Sequence, residues 1–138
     1  MSASVETLCV APDRIPQMWP HVARWLTTAA ERCGDWTPMA LLDVLVKGEA
    51  LLWVLWDGDR LKAACVTEVV IVPKGKILRV LACGGGRAAS WPQAFAPIEA
   101  YARELRCTAI RIEGRKGWQR VFERQHYRLA WVCIEKGL

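Results

Sequence analysis

Apolar side chains at Ile15, Met18, Trp19, Val22, Leu26 and Ala29 recur at helical spacing. The pattern predicts an amphipathic helix, with Asp13 as its N-cap and Gly34 as its C-terminal stop. Thr37-Pro38 predicts a restart, because a Thr cap satisfies one orphan amide and a proline at the first helical position has none to leave unpaired. This second helix carries Leu41, Leu42 and Leu45 and runs to about Lys47, ending at Gly48.

From Ala50 the texture changes. Leu51 to Trp56 is a near-continuous apolar run followed by the turn Asp57-Gly58-Asp59, a strand and hairpin signal. Arg60 to Val72 is rich in β-branched residues, Pro73 to Lys76 is a second turn, and Ile77 to Cys83 is a third strand. Short connections predict an antiparallel meander. After Gly84-Gly85-Gly86, the residues Trp91, Phe95, Ile98, Ala102 and Leu105 fall on one helical stripe. Pro97 requires that helix to start near Gln93 or to kink, since an interior proline costs about 3 kcal/mol. Thr108 to Glu113 alternates as a strand, joined to the previous one by a helix, which implies a parallel crossover. A helix from Trp118 to Gln125, closed by His126-Tyr127, and a final strand complete the order. Thr7 to Val10 is the candidate first strand.

The expected fold is therefore α/β (α+β), a mixed central sheet in which an antiparallel meander leads to a parallel crossover, flanked by about four helices. At 138 residues it makes one domain, 1–138, which can bury roughly 70% of its unfolded surface. The composition, 53% hydrophobic and 24% charged, is that of a globular chain, and no apolar run reaches the ~20 residues of a membrane span. Six cysteines are scattered without a Cys-x-x-Cys pair, so neither a structural disulfide nor a zinc site is expected. The N-terminus has no basic and apolar leader, which points to the cytoplasm.

The net charge of +5 is concentrated in the last quarter, at Arg111, Arg115, Lys116, Arg120, Arg124, Arg128 and Lys136. A basic patch suits an anionic ligand such as a phosphorylated cofactor and equally suits a solvated helix face. Eight tryptophans serve cores and protein interfaces alike.

The closing unit carries a resemblance. Val121-Phe122-Glu123-Arg124-Gln125-His126-Tyr127 resembles the second half of the last-helix motif of the GNAT (N-acetyltransferase) superfamily, whose element order also matches nearly the whole chain. Gly114-Arg-Lys-Gly-Trp-x-Arg-Val is also similar to GNAT-like proteins encoded by tailed phages. The resemblance implies an N-acyltransferase with acetyl-CoA or CoA as cofactor, acyl-CoA and an amine acceptor as partners, and a phosphate loop at the start of the central helix. Here that loop is Gly84, Gly85, Gly86, Arg87, Ala88, Ala89 and Ser90, with Pro92 at one of the family's small-residue positions. The glycines could form an anion-binding nest or merely a tight turn. Main-chain amides near Leu81 to Cys83 are the candidates for oxyanion stabilisation.

Several positions depart from the family. Phe122 aligns with the tyrosine that acts as general acid, His126 replaces the helix-ending glycine, and Arg115 and Trp118 replace asparagine and alanine. Tyr127 and His126 are the remaining candidate acids, with the alternatives that Tyr127 is a packing aromatic and His126 a helix C-terminal residue favoured by the dipole. Glu68 is the candidate base, with Glu113 second and with the alternative that Glu68 pairs with Arg79 across the hairpin. Two functions stay open: an acetyl-CoA-dependent N-acyltransferase, or a non-catalytic GNAT-like structural or adaptor protein, such as a phage particle component found in a virion. The second would use a protein partner or a homo-oligomer through a tryptophan-rich surface. Neither nucleic acid nor a membrane is expected as a partner.

Overall fold

The computed structural model describes residues 5–32, 34–86 and 91–138. Five strands form one sheet in the order β1-β2-β3-β4-β5: β1 (Glu6–Val10), β2 (Leu51–Trp56), β3 (Leu61–Val72), β4 (Gly75–Gly85) and β5 (Ala109–Ile112). The first four are antiparallel neighbours, and β5 runs parallel to β4. Five helices flank it: α1 (Ile15–Arg32), α2 (Pro38–Val46), α3 (Trp91–Ala94), α4 (Ala96–Glu104) and α5 (Trp118–Phe122). The stripe from Trp91 to Leu105 is thus one helix interrupted at Phe95, which lets Pro97 sit in the first turn of α4, where its missing N–H costs nothing.

The alternation of side chains along the strands divides the core in two. Leu52, Val54, Ala64, Val66, Leu81 and Ala82 meet Val22 and Leu26 of α1 and Leu41 and Leu45 of α2 on one face. Trp53, Leu55, Cys65, Leu78 and Val80 meet Trp91, Phe95, Ile98, Ala102 and Phe122 on the other. Thr67 is the buried polar residue of this interior, and the Trp53 indole N–H donates to its hydroxyl at 2.9 Å.

Local signals behave as their chemistry dictates. Thr37 caps α2 by accepting from the Ala40 N–H at 3.2 Å. Asp57 Oδ1 accepts from the N–H groups of Asp59 and Arg60, at 3.0 and 2.9 Å, and so closes the β2–β3 turn. Asp13 does not cap α1. It lies inside a 3₁₀ turn, Pro12–Arg14, that precedes the helix.

Two further expectations are corrected. The strand of Ile77 to Cys83 is longer, because β4 continues through Gly84 and Gly85 rather than turning there. No strand follows α5: residues 128–138 pair with nothing among the described residues and are exposed throughout. Of the eight tryptophans Trp131 is exposed, five are half-buried and two are buried.

Candidate functional site

The site arises from unequal strand lengths. β5 pairs with β4 only from Ile77↔Ala109 to Val80↔Ile112, whereas β4 runs on to Gly85 while still paired to β3. Leu81 to Gly85 therefore present their β5-facing edge to an opening between the two strands. A bulge sharpens the divergence. Val66 pairs with Ala82 and Thr67 with Val80, so Leu81 is the extra residue, without a partner across β3. Bulges bend the strand that carries them and disrupt its ladder at that residue.

The opening is a cleft of about 620 Å³. Leu81, Cys83, Gly84, Gly85 and Gly86 line one side, with Trp25, Thr28 and Arg32 of α1 above them and Glu113, Arg115 and Trp118 opposite. Arg87, Ala88, Ala89 and Ser90 lie outside the described residues. Trp91 and Trp118, packed edge to face with centroids 5.5 Å apart, form a wall of the cleft and leave it open. Arg32 and Arg115 bring positive charge to it and make no ion pair among the described residues, although the Arg115 guanidinium lies 5.9 Å from the Trp118 ring centroid.

The glycines have a packing reason to be glycines. A Cβ on Gly84 would stand 2.5 Å from the Trp25 carbonyl oxygen, and one on Gly85 would stand 2.7 Å from the Lys62 carbonyl oxygen. Only bare backbone lets α1 cross β4 so closely. Gly85 and Gly86 also take positive φ values of 83° and 59°, which turn the chain away from the sheet.

The titratable candidates are distributed unevenly. Glu68 lies opposite Arg79 on the β3–β4 hairpin, and Arg79 Nη2 donates to Glu68 Oε1 at 2.6 Å. The same guanidinium reaches Glu113 Oε2 at 3.5 Å, so Arg79 ties the two carboxylates together. Of the two, Glu113 lines the cleft and Glu68 does not. Tyr127 does not line it either. Its hydroxyl donates to Glu99 Oε1 at 2.8 Å and its ring packs on Phe122, centroids 4.8 Å apart. Burial, and then the bond to Glu99, hold the Tyr127 phenol far above its usual range. Phe122 is 1% exposed, enclosed by Phe95, Trp118 and Tyr127. Burial, followed by contact with Cys65 across the ladder, pushes the Cys83 thiol well above its usual range.

His126 takes a φ of 67°, the left-handed conformation that glycine adopts most cheaply, and so terminates the helix in the position where the GNAT motif has glycine. Trp25, Thr28 and Arg32 are cleft residues that the sequence does not mark, because the periodicity of α1 identifies only the side facing the core.

Solved structures with a similar arrangement of helices and strands include acetyltransferases. A GCN5-related N-acetyltransferase from Ralstonia eutropha JMP134 superposes with a TM-score of 0.69 at 18% identity, covering 98% of this chain and 99% of that one. The fold is the GNAT fold. An aminoglycoside acetyltransferase from an uncultured soil metagenomic sample, solved with sisomicin, gives 0.71 at 10% identity over 97% and 96% of the two chains. A predicted acetyltransferase from Clostridium acetobutylicum, solved with acetyl-CoA, gives 0.68 at 9% identity over 96% of each. No protein-family model and no curated protein matches this GNAT-fold sequence. Among the described residues no helix is long and apolar enough to cross a membrane.

Proposed function

We propose that the protein is an acetyl-CoA-dependent N-acyltransferase acting in the cytoplasm. The observation that carries this reading is the open cleft beside the unpaired edge of β4, bordered by Arg32 and Arg115, which make no ion pair among the described residues. The donors present fit a CoA thioester: a free strand edge complements the amides of an extended arm, and Arg32 and Arg115 complement phosphates. When bound, acetyl-CoA supplies an acyl carbonyl and a thiolate leaving group, and the acyl group passes to an amine.

The chain's own residues then divide the work. The Leu81 main-chain N–H, at the bulge of β4 and on the lining of the cleft, is the donor for the acyl oxygen as charge develops on it. Glu113, in the cleft, accepts the proton lost by the attacking amine. Glu68 acts through Arg79 as a positioning residue, holding the guanidinium that in turn faces Glu113. No phenol or imidazole lines the cleft among the described residues, and Tyr127 is committed to Glu99. Water in the open cleft would therefore be the proton source for a departing thiolate. Titration calorimetry with acetyl-CoA and CoA tests the reading: saturable binding of both supports it, and no binding at millimolar cofactor removes it.

A specific observation also supports a second reading, a non-catalytic GNAT-like structural or adaptor protein such as a phage particle component in a virion. It is the burial of Phe122, which leaves the family's acid position without a proton to give. That reading expects cofactor binding without transfer to any amine, or no cofactor binding at all.

A further inference from the structure

Cysteine is scattered along this chain without a pairing motif, yet the sheet sets two of its thiols face to face. The β3–β4 register places Cys65 opposite Cys83, with Ala63↔Gly85, Ala64↔Gly84 and Val66↔Ala82 in step around them. Residues directly opposed across a ladder share one face of the sheet, and both sulfurs belong to the core beneath α3–α5. Among the described residues no other two cysteines are ladder partners. Both are free thiols in this structure. Opposed residues of an antiparallel pair have Cα atoms about 4.5 or 5.5 Å apart, according to the type of pair, and disulfides bridge Cα atoms about 4.4–6.8 Å apart. A bond between Cys65 and Cys83 therefore asks for side-chain rotation rather than a new path for the backbone. The ladder is already disrupted close by, at the Leu81 bulge, where β4 can absorb what adjustment remains.

Access separates the two thiols. Cys83 is half-buried and lines the cleft beside Gly84 and Gly85, whereas Cys65 is 0% exposed and does not line it. A small electrophile entering the cleft meets Cys83 first. Cys65 then stands directly across the ladder from the sulfur that has reacted.

We propose that Cys83 and Cys65 form a redox-active dithiol, a modification site on the wall of the cleft whose oxidant is a small organic disulfide. The Cys83 thiolate attacks one sulfur of that disulfide, which forms a mixed disulfide on Cys83 and releases the first small thiol. Cys65 gives up its proton and attacks the Cys83 sulfur, which closes the Cys65–Cys83 bond and releases the second. The small disulfide gains two electrons and the two protons of the protein thiols, and the protein pair loses them. The cleft, at about 620 Å³, admits a small molecule, so the pair answers to small disulfides. Burial, and then Cys65, hold the Cys83 thiol well above its usual range, so its thiolate is scarce at neutral pH and exchange quickens as the pH rises.

Hydroxyethyl disulfide added to the full native chain, followed by alkylation and peptide mass mapping without reduction, tests this. The expected product is a Cys65–Cys83 crosslink that protects two of the six thiols from alkylation. It should form about tenfold faster for each unit of pH above neutrality, in step with the thiolate fraction, and dithiothreitol should reverse it. Cys65→Ala should stop at the mixed disulfide on Cys83, and Cys83→Ala should leave Cys65 unmodified. No Cys65–Cys83 crosslink in the folded chain, a crosslink that appears only in urea, or modification of Cys65 in Cys83→Ala would each overturn the proposal. The first two are read on the wild type and need neither variant to fold. None of these readouts involves an acyl-CoA, so their failure is separate from failure of the acyltransferase reading.

Discussion

The carboxylate of Asp57 accepts two backbone N–H groups and lies 3.3 Å from Lys62 Nζ, and its pKa falls from the ordinary 3.8 to about 2. The backbone bonds from Arg60 and Asp59 are the leading causes, with Lys62 adding to them. A carboxyl whose folded pKa is depressed stabilises the fold above its unfolded pKa and loses that contribution as pH falls through the folded one. The stability gap between wild type and Asp57→Ala should therefore be full at neutral pH, shrink below 3.8 and vanish near 2. Urea titrations across that window measure it, and a gap independent of pH would contradict the assignment. Gly84 makes a steric prediction instead. Its φ is unremarkable, but a methyl there would meet the main chain of Trp25, which cannot swing aside as a flexible side chain could. Gly84→Ala should cost about 1–3 kcal/mol by overpacking and deform the cleft that Gly84 lines. Chemical denaturation together with CoA titration would register both effects.

α5 has five residues, too few to hold helical structure by propensity alone, so it persists through what it packs against. Phe122 is its anchor, in contact with Phe95, Trp118 and Tyr127. Phe122→Ala should cost roughly 3–5 kcal/mol, and hydrogen exchange should show α5 losing protection before the β2–β4 ladder does. The elements legible in the sequence are those whose causes are local. Thr37-Pro38 caps α2, Asp57-Gly58-Asp59 turns a hairpin, and Gly34 and Gly48 take positive φ values next to the ends of their helices. Asp13 had the right chemistry for a cap, but Pro12 begins a 3₁₀ turn one residue earlier and absorbs it. The tail after Tyr127 has a strand-like apolar run, Leu129 to Ile134, and no strand among the described residues, because a strand exists only when a neighbour accepts its hydrogen bonds. The cleft divides in the same way. Leu81 to Gly86 follow from the end of a strand and a run of glycines, whereas Trp25 and Arg32 enter only through the angle at which α1 crosses β4.

At the scale of the whole molecule, the sheet carries a core on each face and opens where β4 outlasts β5. That geometry separates the two kinds of contact a CoA thioester would make. Its amide-bearing arm would meet uncharged backbone along Leu81 to Gly85, and its phosphates would meet Arg32 and Arg115. The two contacts respond differently to salt, because charge pairs at an open cleft are screened within about 8–10 Å while backbone hydrogen bonds are not. Raising ionic strength should therefore weaken CoA and leave pantetheine, which lacks the phosphates, nearly unchanged. Arg115→Ala should reproduce the effect of salt: weaker CoA, unaltered pantetheine, and a shallower salt dependence for the CoA that still binds. Thermal shift offers an independent readout, since a ligand at one hundred times its Kd stabilises the native state by about 2.7 kcal/mol. Equal losses for CoA and pantetheine in Arg115→Ala would mean that the arginine supports the cleft wall through its stacking on Trp118, and the phosphates would have to be held elsewhere.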